Sequence, residues 1–292
     1  MSVMSFDKQT KEIREICGKL FLDGKVDVIF AQAEGGVDGG LIPFVAKSAD
    51  DVERIAWGDR CKQNLAPYLH GRTDRVGIVA MPCDARAVAQ YIVEHQLERE
   101  NVFIVGVDCP GMVDADGAPR PGCAGCTVRV APVCDVRVEG DAVGEKAAAK
   151  GAGIASEAAA DPAAKFARFR AEIEKCILCF SCRQACYGCY CKSCFIERDM
   201  PDWQPAEIDA GTKMTFHLGR AMHLAGRCVE CGACEAACAS GVDVRYIISE
   251  VTDFVEEMYG FRTGMDTDTS QAMVSYRMDD REAGFLGEAQ HE

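Results

Sequence analysis

The alternation of apolar and polar residues predicts that the chain begins with a helix and continues with strands and helices. Over residues 6–22 apolar side chains recur every three or four positions, as on one face of a helix. Short apolar runs at Val26–Phe30 and Leu41–Val45 predict strands on either side of a glycine-rich turn. Ala49–Ile55 and Asp59–Leu69 have helical patterns. The N-terminal part therefore mixes both kinds of element.

The clearest strand–helix–strand pattern follows. Arg75–Met81 and Asn101–Val107 are continuous apolar runs typical of buried strands, and Ala85–Gln96 between them has a helical pattern. A strand, a crossover helix and a second strand form a right-handed unit in which the two strands are parallel. We therefore expect an α/β domain with parallel strands over residues 1–139.

The second half of the chain has a different character. Residues 140–165 are rich in Ala, Gly, Glu and Lys and predict a linker, because such a segment buries little apolar surface. Helical patterns at Lys165–Lys175, Thr212–Ala225 and Val244–Met258 lie within residues 166–260, which we expect to form a mainly α-helical domain. Residues 261–292 are polar and predict a tail, mobile from Gly264 unless a partner orders it.

Two cysteine runs with the same C-x-x-C-x-x-C-x-x-x-C spacing lie in this helical domain, at residues 176–186 and 228–238. In paired cubane sites of this kind, three cysteines of one run hold a [4Fe–4S] cluster and the fourth ligates the other cluster. The spacing thus predicts cluster A at Cys176, Cys179, Cys182 and Cys238, and cluster B at Cys228, Cys231, Cys234 and Cys186. Two adjacent clusters indicate electron transfer in a dicluster ferredoxin domain.

A third group of cysteines follows the predicted parallel strands. Cys83 and Cys109 each come just after a strand, and the carboxyl ends of parallel strands meet at one edge of a sheet. Cys123 and Cys126 form a C-x-x-C on a Pro/Gly-rich loop that can fold over that edge. We expect these four to hold cluster C, a further [4Fe–4S] cluster. A structural zinc site with the same four sulfurs is the alternative.

Six cysteines remain outside these sets. Cys189, Cys191 and Cys194 could be most of a further cluster, could include a substitute for Cys186, or could pack beside the clusters and adjust their potentials. Cys134 is a possible substitute ligand for cluster C. The other two, at positions 17 and 61, fall in helical patterns and are most simply small buried apolar residues.

Three charged or titratable residues near the cysteine runs are candidates for a supporting role. The guanidinium of Arg183, between two cysteines of the first run, would raise the potential of an anionic cluster if it pointed inward. His217 and His223 lie on the helix between the runs, where a structural role is favoured because well-spaced thiols are available as ligands.

Composition limits the classes of function. The 292 residues carry a net charge of −14, which argues against nucleic-acid binding. No apolar run is long enough to span a membrane, and the first residues lack a signal-peptide pattern, so we expect a cytoplasmic protein. In that compartment, 18 cysteines at metal-ligand spacing indicate reduced thiolates that hold iron and sulfide.

The segments MPCDARAVAQYI, VGVDCPGMVD and CAGCTVRVAPVCDVRVEGD resemble the β subunits of deazaflavin-coenzyme-reducing hydrogenase and of related formate dehydrogenases. In that family the matching cysteines surround one cubane, and many members bind FAD and reduce a deazaflavin or nicotinamide. The long helical spacer between the cysteine runs resembles the α-helical ferredoxin domain of heterodisulfide reductase. The chain departs from these families in lacking a flavin fingerprint, and Tyr187 and Ala239 replace the proline that commonly follows the fourth cluster cysteine.

The resemblance implies an iron–sulfur subunit of a hetero-oligomeric oxidoreductase, with other redox subunits as partners. We expect the chain to relay electrons between a flavin or metal catalytic subunit and a redox partner, without a catalytic site of its own. An FAD-dependent subunit that reduces a soluble deazaflavin or nicotinamide coenzyme is the alternative. A redox or iron sensor is the third hypothesis, for which the sequence offers no DNA-binding motif.

Overall fold

The computed structural model describes residues 6–36, 39–61, 63–140, 161–197, 207–276 and 278. The strands are β1 (Val28–Glu34), β2 (Leu41–Ala46), β3 (Val76–Ala80), β4 (Val102–Val107) and β5 (Val136–Val138). The helices are α1 (Asp7–Leu22), α2 (Pro82–Val93), α3 (Pro121–Ala124), α4 (Pro162–Glu174), α5 (Ser181–Gln184), α6 (Ala210–His223), α7 (Ala233–Ala236) and α8 (Val244–Tyr259). Single 3₁₀ turns lie at Ala49–Arg54, Ala66–Leu69, Arg99–Asn101, Phe195–Glu197 and Ala272–Val274.

The five strands form one mixed sheet in the order β2-β1-β3-β4-β5. Only β1 and β2 pair antiparallel; the β1–β3, β3–β4 and β4–β5 pairs are parallel. In the β3–β4 pair, Ala80 lies opposite Gly106, so both strands end at the same edge. The prediction of an α/β region with parallel strands, followed by helices, is confirmed.

The segment Asp59–Leu69 departs from its helical pattern, since only its last four residues form a 3₁₀ turn. Tertiary hydrogen bonds occupy the backbone groups that a helix would use. The carbonyl of Arg60 accepts from the Leu41 amide at 3.3 Å, and the amide of Leu65 donates to the buried Asp84 carboxylate at 3.0 Å. Cys61 forms an isolated parallel β-bridge with Leu41 of the edge strand β2, and it lines the site described below.

The two halves of the chain share a hydrophobic core instead of packing separately. Helix α2 covers one face of the sheet, and Tyr187 and Val229 from the second half are buried in the same cluster. The Tyr91 hydroxyl on α2 donates to the Tyr187 carbonyl at 2.7 Å. Glu94 forms a two-pronged ion pair with Arg227 at 2.6 and 2.8 Å. The cysteine runs are therefore fixed against the sheet domain; the expected linker lies mostly within 141–160, outside the described residues.

Helices α4, α6 and α8 form the core of the C-terminal part, and the cysteine runs pack against them. The start of the expected tail also packs: the Thr263 carbonyl accepts from Arg86 at 2.9 Å, and Gln271 is buried. Gly264 lies against the backbone of Arg86, so close that any Cβ would collide with it. In the part of the chain that the structure describes, no helix is long and apolar enough to cross a membrane.

Candidate metal centres

The four cysteines predicted for cluster C line one cavity at the carboxyl edge of the sheet. Cys83 lies in the first turn of α2, directly after β3, and Cys109 lies two residues after β4. Cys123 and Cys126 come from α3 and the loop behind it, which fold over the edge. The volume of this cavity is about 40 Å³. The structure therefore brings all four thiols together, while their ligation of a cluster stays a prediction.

Three arginines face the same cavity. Arg120 donates to the Cys61 carbonyl at 3.1 Å, and Arg129 donates to the Cys123 carbonyl at 2.8 Å. Arg86 is buried, and its Nη2 has no hydrogen-bond partner among the described residues. A [4Fe–4S] core held by four thiolates is anionic, so a partly unsatisfied guanidinium on the cavity wall fits such a group. A cavity without an anion would leave this charge uncompensated.

Burial controls the ionisation of these thiols. Burial raises the pKa of Cys109 to about 12, and burial together with neighbouring acidic groups, among them Asp84, raises the pKa of Cys83 well above its usual range. A thiolate forms in such surroundings only when a positive partner such as iron compensates its charge. The site therefore suits thiols that ionise when they bind metal.

The two cysteine runs fold into the same local structure. Leu178 and Glu230, two residues after the first cysteine of each run, have φ values of 53° and 59°. Their amides donate to the sulfurs of Cys176 and Cys228, each at 3.3 Å. Each run then passes through a second left-handed residue into a one-turn helix, α5 or α7. Amide-to-sulfur bonds of this kind stabilise thiolates and set cluster potentials.

The fourth cysteine of each run interacts with cysteines of the other run. Burial raises the pKa of Cys176, and Cys238 from the second run adds to this shift. In the same way burial raises the pKa of Cys231 to about 12, and Cys186 from the first run contributes to this shift and to that of Cys228. These interactions suit the crossed ligation expected for clusters A and B, which stays a prediction.

Cluster sites B and C are neighbours, which the sequence does not reveal. Cys231 lines the cavity of site C, and its charge contributes to the raised pKa of Cys83 after burial and Asp84. The Arg120 guanidinium bridges the two, since it also donates to the Gly232 carbonyl at 3.3 Å. Gly122 packs on Gly232 so closely that an added Cβ would lie 3.4 Å from the facing Cα. The three sites therefore follow one another in the order C, B, A.

The guanidinium that lies among the cluster cysteines belongs to Arg220, whereas Arg183 forms an ion pair with Glu197 at 2.6 Å. Arg220 is only 3% exposed on helix α6, and it donates to the Cys182 carbonyl at 3.1 Å. Its charge acts on Cys182, which is predicted for cluster A, and on Cys234, which is predicted for cluster B. The sequence pattern that could have indicated this role is an arginine on the apolar face of α6, the helix between the two cysteine runs.

The other cysteines and the histidine singled out in the sequence lie in different parts of the structure. Cys134 packs beside Gly106 and does not line the cavity of site C, which disfavours it as a substitute ligand. Cys17 is buried in the core, as expected, whereas Cys61 faces cavity C. His217 is buried, and this burial together with the charge of Arg220 lowers its pKa to about 4.

Cys189, Cys191 and Cys194 line a separate cavity together with His223. Cys189 also lies within hydrogen-bond distance of Cys186, and this contact is the main cause of a pKa lowered to about 7. Among the described residues, no three Cys, His, Asp or Glu side chains are grouped as they would be around a single metal ion. The thiols of the proposed sets instead line shared cavities or interact with one another.

A larger cavity lies on the other side of the sheet edge, beside the glycine-rich turn. Its volume is about 1000 Å³, and Trp57 and Arg60 are on its wall. The turn is closed by the Gly36 amide, which donates to the Gly40 carbonyl at 2.9 Å. Because Cys61 lines cavity C, the short segment 57–61 separates the two cavities.

Comparison with known proteins gives an extended match. The chain is 21% identical over 345 aligned residues to the F420-dependent formate dehydrogenase subunit beta of Methanocaldococcus jannaschii, covering 85% of this chain and 90% of that protein. This confirms the resemblance to the β-subunit family. The likeness of the second half to heterodisulfide reductase stays a prediction.

Two further comparisons add less. No family model matches the chain. Among solved structures, a chain of the F420-reducing [NiFe] hydrogenase complex from Methanosarcina barkeri is similar to part of this chain. The match covers 37% of this chain and 43% of the hydrogenase chain, with 21% identity and a TM-score of 0.31. A similarity this low supports no further conclusion.

Proposed function

We propose that the chain is an iron–sulfur electron-transfer subunit of a multi-subunit cytoplasmic oxidoreductase. The relative with the extended match is named as a subunit of an F420-dependent formate dehydrogenase, which supports an oxidoreductase subunit with redox partners. Its complex would be of the formate dehydrogenase, hydrogenase or heterodisulfide reductase type. The chain would relay electrons between a flavin or metal catalytic subunit and a second redox partner.

The observation that supports this proposal is the continuity of the three thiol sites. Cys231 belongs to the set predicted for cluster B and lines cavity C, while Arg220 acts on cysteines of both A and B. A series of adjacent cluster sites from the sheet edge to the helical part suits the transfer of electrons over a distance. A single catalytic centre would not need such a series.

The residues that would hold the clusters are the three sets of four cysteines given above. When bound, each [4Fe–4S] cluster supplies one-electron oxidation and reduction. The protein contributes burial, amide-to-sulfur hydrogen bonds from Leu178 and Glu230, and the positive charges of Arg86 and Arg220. The hydrogen bonds and the positive charges favour the reduced, more negative state of an anionic cluster and so raise its potential, whereas burial opposes the added negative charge and lowers it.

The test is anaerobic purification of the protein from cells that also express its redox partner subunits. We expect at least about twelve irons and an equal amount of acid-labile sulfide per chain, from three cubane clusters. Visible absorption should bleach on addition of dithionite, and mass spectrometry should identify co-purified redox subunits. Zinc in place of iron, or a reduced protein that passes no electrons to any co-purified subunit, would contradict the proposal.

A second candidate is an FAD-dependent subunit that reduces a soluble coenzyme, and the large cavity beside the glycine-rich turn favours it. Trp57 offers an aromatic wall, and only segment 57–61 separates the cavity from site C. Stoichiometric FAD released by acid denaturation would support this candidate. Trp57→Ala should then reduce flavin content without lowering the iron content, whereas flavin-free protein from riboflavin-replete cells would exclude it.

A further inference from the structure

Three of the six cysteines left outside clusters A, B and C share a cavity in the helical part of the chain. Cys189, Cys191 and Cys194 all line it, and its volume is about 280 Å³. Sequence spacing alone left open whether these thiols converge. Their position on one wall of one cavity makes them a candidate ligand set.

A fourth ligand faces the same cavity from another element. His223, at the end of α6, lines the cavity, and its ring meets the Phe195 ring edge-on at a centroid distance of 5.1 Å. Phe195 in turn packs on Gly219, where an added Cβ would lie 2.6 Å from the ring. The absence of a side chain at Gly219 thus lets the cysteine-bearing loop approach α6, which places the imidazole beside the thiols.

The charge of the cavity favours an anionic occupant. Of its three arginines, Arg183 and Arg227 are paired with Glu197 and Glu94. Arg220 is 3% exposed, has no carboxylate partner among the described residues, and its Nε has no hydrogen-bond partner among them. The Arg220 guanidinium interacts with Cys182 and Cys234, which are predicted for clusters A and B, and also with Cys189 of this cavity. A buried cation of this kind favours negative groups around it, and an anionic cofactor held by Cys189 would be one of them.

The size of the group distinguishes a cluster from a single ion. Three cysteines and one histidine are also a structural zinc set. The cavity volume of about 280 Å³ gives room for an inorganic core larger than one ion. The contact between Cys189 and Cys186 places this core beside site B, within the proposed electron-transfer chain.

We propose that this cavity holds a fourth iron–sulfur cluster, ligated by Cys189, Cys191 and Cys194, with His223 as the fourth ligand. The proposal rests on the function proposed above, since it extends the series of clusters by one. Histidine ligation raises the potential of an iron–sulfur centre relative to thiolate ligation. The fourth cluster would therefore be a high-potential site next to B.

The test compares the iron content of anaerobically purified wild-type protein with that of a Cys191→Ser/Cys194→Ser double variant, with Cys17→Ser/Cys134→Ser as the matched control. We expect about sixteen irons in the wild type and control, and about twelve in the double variant, whose signals from A, B and C persist in electron paramagnetic resonance (EPR) spectra. His223→Ala should retain the cluster's thiolates but yield the oxidised-state EPR signal of a three-iron cluster.

Two results would overturn the proposal. One is a wild-type protein with about twelve irons that the double variant does not change, which leaves the three-cluster function intact. The other is one zinc ion per chain that disappears in the double variant while iron stays constant. A wild-type protein without iron would instead refute the proposed function itself, so the two failures are distinguishable.

Discussion

Replacing Arg220 by methionine removes a buried positive charge from among the cluster cysteines while keeping a long apolar side chain. The guanidinium donates to the Cys182 carbonyl and acts on thiols assigned to both A and B. Reduction adds a negative charge to a cluster, and a nearby cation stabilises that charge. We therefore expect Arg220→Met to lower the reduction potentials of A and B.

The size of the shift follows from burial. Arg220 is 3% exposed, so its charge is poorly screened by water. A unit charge about 7 Å from a cluster, at an effective dielectric constant of about 20, interacts by about 2.4 kcal/mol. Since about 1.4 kcal/mol corresponds to about 59 mV for one electron, the expected shift is on the order of −100 mV.

Potentiometric titration followed by EPR measures this shift. Arg220→Lys keeps the charge and should change the potentials by much less than Arg220→Met. Arg54→Met removes an exposed arginine from the sheet domain and serves as the matched control. A shift below about 20 mV in Arg220→Met, or an equal shift in Arg220→Lys, would refute the electrostatic argument.

Three further predictions test other parts of the structure. Cys83→Ser should cost about four irons per chain, as measured by iron analysis, while Cys134→Ser should cost none; equal losses would contradict site C. Glu94→Gln should lower the free energy of unfolding by about 2 kcal/mol in denaturant titrations because it removes the carboxylate partner of the half-buried Arg227; an unchanged midpoint would contradict this. Burial lowers the pKa of His217 to about 4 from 6.5, so the unfolded chain binds its proton first as pH falls. His217→Leu should therefore reduce the loss of stability between pH 7 and 5 by about 2 kcal/mol, and an unaltered pH profile would count against it.

The sequence predicted the parts of the fold that depend on local pattern. The apolar runs 76–80 and 102–107 form parallel strands because each is long enough to be buried and is joined by a helix. The same reasoning placed Cys83 and Cys109 at one sheet edge, where they line one cavity. Topology alone was sufficient here, since parallel strands share an edge.

What escaped prediction depends on contacts between distant segments. The helical pattern at Asp59–Leu69 was overridden by hydrogen bonds to Asp84 and β2. The proximity of Cys231 to cavity C arises because the second half packs on α2. Arg220 could not be preferred over Arg183 without knowing which side of α6 faces the cysteines. None of these contacts produces a periodic pattern in the amino-acid sequence.

The most direct test of the central claim is EPR spectroscopy of the fully reduced protein, in the wild type and in Cys83→Ser. The proposed order C, B, A predicts spin–spin interaction of B with both neighbours. Loss of C in the variant should therefore simplify the signal of B while the interaction between A and B persists. A wild-type spectrum of isolated, non-interacting clusters, or a signal of B that Cys83→Ser leaves unchanged, would contradict the claim.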